Sequence, residues 1–288
     1  MKLLNPKAEI IILVHRKNSE MKDKVVVITG ASSVIGKALA FEFAKRGAKC
    51  VIGARSHEKL VEIAEEIKLS GAEVAFAQTD VSIEADCKNL ILTAVERFGK
   101  IDVLINNAGI SMRALFADTD LKVLKRLMDV NFWGTTYCTK YALPHLLEQK
   151  GSLVGVSSIG GIKGLPARSG YSASKYAMGG LLECIRTENL KKGLHVLVAY
   201  PGFTASNIRN TALAADGSQQ GESPRNEQKM MSTEEVAIHI YKAVENRKNT
   251  IILTTQGRLI ALINKFFPTW LSKQIYKGLA KEEDSPLK

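Results

Sequence analysis

The chain has 288 residues, 45% of them hydrophobic and 24% charged, with a formal net charge of +11. That is ordinary globular composition and excludes a disordered or fibrous chain; the length suits a single α/β domain whose core needs no staples. No run approaches the roughly 20 apolar residues of a membrane-spanning helix, and the scattered basic residues come with no nucleic-acid motif, so the positive field is expected to attract an anionic cofactor or membrane rather than nucleic acid.

Residues 1–20 read as an N-terminal extension. Their apolar run, 10–14, is shorter than the apolar core of a signal peptide, about 7–15 residues, and His15-Arg16-Lys17 follow it rather than precede it. A cytoplasmic protein is expected. Met21 opens the segment that leads into the first strand. That strand, 25–29, is a continuous β-branched run of the kind buried on both faces of a sheet. A helix over 35–46 follows, with Gly47 placed to end it. Strands are predicted at 50–53, 74–78 and 102–105, and helices at 58–69 and 84–98. A long helical stretch covers 121–148, with Pro144 expected to kink it or end it early. Then come a strand at 153–156, a helix at 172–191, a strand at 196–199, a helix at 233–246 and a seventh strand at 250–253. Ser232 or Thr233 can cap the 233–246 helix, and Glu234 and Glu235 suit its positive end. This alternation implies right-handed βαβ units in one doubly wound parallel sheet of seven strands, with helices on both faces.

Two segments stand apart from the alternation. Residues 207–231 are rich in Asn, Gln, Ser and Gly and read as a mobile loop, either linker or substrate lid. Residues 256–288 form an amphipathic tail. Its apolar stripe is Leu259, Leu262, Ile263, Phe266, Phe267, Trp270, Leu271, Ile275 and Leu279; Arg258, Lys265, Lys273 and Lys277 lie opposite, and Pro268 splits it into two helices. The stripe packs on the protein's own core or a partner copy, covers an apolar substrate pocket, or lies on a membrane surface.

The cysteines, Cys50, Cys87, Cys138 and Cys184, share no CxxC spacing and no His partner. They are expected to be small, mostly buried residues of a reducing compartment, and no metal site is expected.

The chemistry sits at the strand ends. The first strand runs into Thr29-Gly30-Ala31-Ser32-Ser33-Val34-Ile35-Gly36, and a helix follows. A glycine-rich turn at a helix N-terminus cradles a pyrophosphate, through free N–H groups and the helix dipole. Tyr171-Ser-Ala-Ser-Lys175 puts a phenol and an ammonium four apart on one helix face. Free tyrosine titrates near about 10, and a neighbouring ammonium lowers that value.

Together these segments resemble the classical short-chain dehydrogenase/reductase family, whose loop motif is Thr-Gly-x-x-x-Gly-x-Gly. The resemblance covers about residues 21–255 and implies a single-domain Rossmann fold. It extends to Asp80-Val81 as the adenine-contacting pair, to Asn106-Asn107-Ala108-Gly109 against the cofactor, and to Pro201-Gly202 at the nicotinamide carboxamide, with Thr204 and Ser206 as hydroxyl contacts. It implies Tyr171 as proton donor, Lys175 holding the nicotinamide ribose, Ser158 orienting the substrate carbonyl, and Asn131 holding a relay water. Gly30, Ser32, Ser33, Ile35 and Gly36 then form the phosphate loop. Val34 replaces the family's middle glycine, and its side chain is expected to crowd the cofactor and weaken binding. After the second strand comes Ala54-Arg55-Ser56 and no acid; Arg55 suits the 2′-phosphate of NADP, with Ser33 and Ser56 as added hydroxyl donors.

The implied activity is NADP(H)-dependent interconversion of a ketone and a secondary alcohol, with a hydrophobic, lipid-like or steroid-like substrate. The 11-beta-hydroxysteroid dehydrogenase and 3-ketosphinganine reductase branches are the most similar, and family resemblance suggests a homo-oligomer. A weak dinucleotide-binding protein, impaired by Val34, is the alternative.

Overall fold

Seven strands form one sheet in the computed structural model, which describes residues 21–202, 204, 208, 211–221, 230–282 and 285–287. The 1–20 extension and Ser206 lie outside the described residues. The strands are β1 (Val25–Thr29), β2 (Lys49–Ala54), β3 (Val74–Gln78), β4 (Val103–Asn106), β5 (Ser152–Val156), β6 (His195–Tyr200) and β7 (Thr250–Ile252). Every pairing is parallel, in the order β3-β2-β1-β4-β5-β6-β7. This is the doubly wound Rossmann arrangement expected from the alternation of elements. Strand order reverses between β1 and β4, which opens a crevice at their carboxyl ends.

β1 shows why its run is apolar throughout. Val26 and Ile28 enter one core with α1 (Val34–Lys45), α2 (His57–Leu69) and α7 (Thr233–Glu245). Val25 and Val27 enter the other, with α3 (Glu84–Phe98), α5 (Gly134–Glu148) and α6 (Ser169–Glu188). Side chains alternate across a strand, so a strand covered on both faces has no polar side. Ser232 caps α7, and Glu235 returns the bond to complete a capping box.

The long helical stretch breaks in a different place from the one expected. α4 (Leu121–Met128) passes through a π-helical turn, Asp129–Trp133, directly into α5. Pro144 does not end α5, which runs on to Glu148. The carbonyl that Pro144 deprives of a donor belongs to Lys140, an exposed residue. The π turn has Asn131 at its centre. Such turns concentrate at functional sites.

Of the polar 207–231 segment, residues 208, 211–221, 230 and 231 are described. Ala212 and Leu213 are buried, and Leu213 bridges Met112 in the loop after β4. Three of the cysteines are buried as expected, but Cys184 is exposed; all four are free thiols.

Pro268 divides the tail as predicted, into α8 (Thr255–Phe266) and α9 (Pro268–Ala280), with the proline at the first position of α9. Leu271 is buried and Ile263, Ile275 and Leu279 are partly so, whereas Leu259, Leu262, Phe266, Phe267 and Trp270 are each more than half exposed. The stripe is therefore shared between the protein and its surroundings.

Asp102, just before β4, is the main buried carboxylate at the sheet's amino edge. It accepts from Lys24 Nζ at 2.8 Å, Lys100 Nζ at 3.0 Å and the Val25 amide at 2.9 Å. Burial pushes its pKa up, but these three donors outweigh that and hold it below the ordinary value. A lowered carboxylate stabilises the fold above its unfolded pKa, and the contribution is lost as pH falls through the folded value. Asp102→Asn is expected to cost about 1–3 kcal/mol at pH 7. Urea unfolding at pH 7 and near pH 3 should show that difference shrinking in acid.

Candidate active site

All parallel strands deliver their carboxyl ends to one edge of the sheet, and the loops that follow β1, β4, β5 and β6 meet there. The loop after β1 is built on close approach. Gly30 has φ +66°, and a Cβ there would lie 2.8 Å from Ala108 Cα; one on Gly36 would lie 2.2 Å from the Gly30 carbonyl oxygen. Neither position has room for a side chain. Ser33 caps α1: its Oγ accepts from the Gly36 amide at 3.2 Å and donates to the Gly30 carbonyl at 2.7 Å. The other first-turn N–H groups of α1 open toward the crevice end, as an anion requires.

Val34 is the first residue of α1, has no positive φ, and leaves its side chain 43% exposed. The backbone of the loop tolerates valine without strain. Ser32 and Ile35 are half-buried on either side of it.

Thr29, Asn107 and Ala108 stitch the first loop to the turn after β4. Thr29 Oγ1 accepts from the amides of Asn107 and Ala108, both at 3.0 Å, while Asn107 Nδ2 donates to the Thr29 carbonyl at 3.0 Å. A Cβ on Gly109 would meet Asn131 Oδ1 at 3.1 Å and Lys175 Nζ at 3.3 Å. Gly30, Gly36 and Gly109 thus let the two turns and the residues behind them pack backbone to backbone.

At the end of β2, Arg55 is exposed and its carbonyl accepts from Gln78 Nε2 at 2.9 Å. Ser56 caps α2 and donates to Glu58 Oε2 at 3.0 Å. The hydroxyl protons of Ser33 and Ser56, expected as phosphate donors, are both engaged within the protein. Arg55 is left as the cationic group at this strand end. Asp80 spends one carboxylate oxygen on the amide and hydroxyl of Ser82. Val81 is buried against the start of α5, where a Cβ on Gly134 would come within 2.8 Å of it.

The predicted tetrad comes together around the loop after β4. Asn131, fully buried, accepts from the Ile110 amide at 2.8 Å and donates to the Ile110 carbonyl and to Ser174 Oγ, both at 2.9 Å. Ser158 ends the β5 loop, and its Oγ accepts from the Gly160 amide at 3.1 Å. Tyr171 and Lys175 lie in the first turns of α6, which begins at Ser169 rather than at 172. Ser158 bonds the Tyr171 phenol. The ring packs with Met112, Val123, Leu127 and Leu213 in a small buried apolar cluster.

Lys175 Nζ donates to the Val156 carbonyl at 2.8 Å. Burial lowers its pKa to about 8. Burial raises that of Tyr171, and the Ser158 bond and the Arg168 charge pull it only part of the way back. The Arg168 charge also bears on the Tyr171 phenol and pulls its pKa down, while Lys175 is turned to the Val156 carbonyl.

On the β6 side, Pro201 is buried, and the Ile159 amide donates to its carbonyl at 3.2 Å. Thr204 is buried and bridges Met231. Gly202 lies against Thr254: a Cβ there would meet Thr254 Oγ1 at 2.4 Å. Thr254 has φ +68°, rare for a β-branched residue. Sequence reasoning passed over Thr254, Arg168, Thr29 and Ser174. The last two sit inside motifs already noted, and only Ser174's place within Tyr171-Ser-Ala-Ser-Lys175 offered a signal.

A family model for short chain dehydrogenases matches residues 24–217. The chain belongs to the short-chain dehydrogenase/reductase family. It is 41% identical over 198 residues to an Arabidopsis thaliana protein named 11-beta-hydroxysteroid dehydrogenase-like 2, covering 68% of this chain and 64% of that relative's length. It is 36% identical over 273 residues to Mus musculus dehydrogenase/reductase SDR family member 7B, covering 93% and 84% of the two chains. Among solved structures, a Burkholderia phymatum short-chain dehydrogenase/reductase in complex with NAD superposes with TM-score 0.75 at 25% identity, over 85% of this chain and 95% of that one. An alcohol dehydrogenase from Thermococcus sibiricus, complexed with 5-hydroxy-NADP, matches the fold at TM-score 0.70 and 24% identity, over 81% and 96%.

The buried ammonium makes a prediction that needs no substrate. Between pH about 8 and 10.5 the unfolded lysine binds a proton that the folded one does not. Stability contributed by this site therefore rises with pH across that window. The wild-type protein should gain up to about 3 kcal/mol relative to Lys175→Met between pH 7.5 and 10. Urea unfolding of both at the two pH values reads it, and parallel behaviour would refute it.

Proposed function

We propose that this protein is an NADP(H)-dependent oxidoreductase that interconverts a ketone and a secondary alcohol on a hydrophobic, steroid-like or lipid-like substrate. The observation that carries the reading is the convergence of Tyr171, Ser158, Lys175 and Asn131 beside the Gly30–Gly36 turn and Gly109. The glycine turn at the N-terminus of α1 suits the pyrophosphate of a dinucleotide. When bound, the dinucleotide supplies or accepts the hydride. Tyr171 protonates the carbonyl oxygen in the reducing direction, and Ser158 donates to the same oxygen as charge grows on it. Lys175 holds the ribose, and Asn131 keeps a relay water beside it. In oxidation the Tyr171 phenolate takes the proton back from the alcohol.

Arg55 supports NADP over NAD: it offers a planar cationic fork where NAD-selective sites carry an acid. The apolar residues of α8 and α9 that stay exposed support a hydrophobic substrate, and so does the name of the Arabidopsis relative. The exposed Trp133 and Tyr176 support assembly as a homo-oligomer.

Titration with NADPH and NADH, followed by nucleotide fluorescence, is the first test. NADPH should bind at least about tenfold more tightly than NADH, and Arg55→Glu should abolish that preference. Val34→Gly should change affinity by no more than a few fold. If NADPH bound only after glycine was restored, the weak dinucleotide-binding alternative would replace this reading. With a carbonyl panel, Tyr171→Phe should lower kcat by at least about 100-fold while leaving NADPH affinity intact.

A second reading, of place rather than chemistry, follows from the tail. We propose that the protein is cytoplasmic and touches membranes through α8 and α9. No helix among the described residues is long and apolar enough to cross a membrane. Leu259, Leu262, Phe266, Phe267 and Trp270 nevertheless stay exposed beside exposed Arg258, Lys265, Lys273 and Lys277. That combination suits an anionic lipid surface. The protein should float with phosphatidylserine vesicles and lose that association on Phe267→Glu/Trp270→Glu substitution; equal flotation by both would rule the contact out.

A further inference from the structure

Arg168 lies three residues before Tyr171, at the N-cap position of α6. Its Nη1 donates to Ser111 Oγ at 2.7 Å, and Ser111 is almost fully buried. Ser111 sits between Ile110, which Asn131 holds by both backbone groups, and Met112, which packs on the Tyr171 ring. Beyond it, the Ala114 amide donates to the Ala167 carbonyl at 3.0 Å, next to Arg168 itself. The loop after β4 is therefore clamped from two sides, by Asn131 at 110 and by Arg168 at 111.

We propose that Arg168 is a positioning residue of the reaction: docked on Ser111 from the N-cap of α6, one helical turn before Tyr171, its guanidinium holds the 110–112 segment against the Tyr171 ring and keeps a permanent positive charge at that end of the helix. The proposal rests on the oxidoreductase reading for its kinetic consequence, but not for its electrostatic one.

The surroundings of Tyr171 make this charge matter. α6 contributes Lys175 and Ser174, and the segment after β5 contributes Ser158 and Gly160. α4 faces the ring with Val123 and Leu127, while its Lys125–Asp129 pair lies on the solvent side. The loop after β4 brings Ser111 and Met112, and one residue farther Arg113, paired with Glu282 at 3.0 Å. The 211–221 segment brings Leu213. Lys175, the other cation here, is turned to Val156 and loses its proton near pH 8. A guanidinium keeps its charge throughout the working range. As pH rises, Arg168 becomes the cation that still favours the phenolate needed for alcohol oxidation.

The test compares wild type with Arg168→Met and Arg168→Lys in the full-length protein. The tyrosinate absorbance of Tyr171 is isolated as the difference from the same protein carrying Tyr171→Phe, and read within milliseconds of a pH jump, before alkaline unfolding. Arg168→Met should move the Tyr171 titration up by about one unit, and Arg168→Lys should leave it near wild type. For a carbonyl–alcohol pair that is turned over, the acid limb of kcat/KM for oxidation should move by the same amount, with the lysine variant restoring it. If Arg168→Met titrates with wild type, or if the lysine variant shifts as far as the methionine one, the proposal is overturned. A purely structural clamp would lower the melting temperature and leave both titrations where they are, which also overturns it. If no pair is turned over, the oxidoreductase reading fails while the absorbance arm still decides the role of Arg168.

Discussion

The stitch between the ends of β1 and β4 is the interaction on which the rest of the site depends. The two strands are neighbours in the sheet, yet their chains leave in opposite directions, so nothing covalent holds the crevice between them. Thr29 Oγ1 and Asn107 Nδ2 close that gap with bonds to backbone on the opposite side. One buried hydroxyl and one amide thereby fix the phosphate loop and the Asn107–Gly109 turn to each other. Hydrogen bonds to backbone in a dry site are costly to lose, which makes the crevice rigid before any ligand arrives. The glycines then follow as a necessity: with the two turns this close, Gly30 and Gly36 have no space for a Cβ.

A second constraint is the burial of Lys175. Its ammonium sits beneath Gly109, paired with a carbonyl rather than a carboxylate. Such a group lowers the stability of the fold, and it persists because Asn131, the π turn and Ser174 build a polar shelf beside it. The π turn gives the helix one extra residue per turn at that point. That lets α4 and α5 run on as one rod while the Asn131 side chain reaches the loop after β4. Local irregularity and function coincide here for a geometric reason.

The tail packs against the stretch after β5, and the 211–221 segment against the loop after β4. α8 and α9 rest on the stretch between Ser158 and Tyr171: Asn264 Nδ2 donates to the Ile162 carbonyl at 3.1 Å, and Lys163 Nζ to Ser272 Oγ at 2.8 Å. Glu282 reaches Arg113 in the loop after β4. The amphipathic pair of helices thus braces the active-site rim with one face and leaves Phe267 and Trp270 outward with the other. Sharing one stripe between two environments explains why its hydrophobic pattern is broader than a simple packing face needs.

Much of this was legible in the chain itself. Continuous β-branched runs such as 25–29 announce strands buried on both faces, and their alternation with helical spacing leaves few topologies besides a doubly wound parallel sheet. The motif residues Gly30, Asn107, Ser158, Tyr171 and Lys175 were readable because each answers a local demand, a turn or a helix face, at fixed spacing. Tertiary structure alone decided what depends on residues distant in the chain. Pro144 stays inside α5, and the irregular turn falls instead at Asn131, whose partners Ile110 and Ser174 lie 21 and 43 residues away. Leu213 lies within a polar stretch, yet it is buried against Met112. Arg168 reaches Ser111, 57 residues earlier in the chain, and Lys175 finds the Val156 carbonyl, 19 residues away; both contacts are set by the fold. Periodicity reports the faces of an element, but it carries no information about which other element will stand opposite.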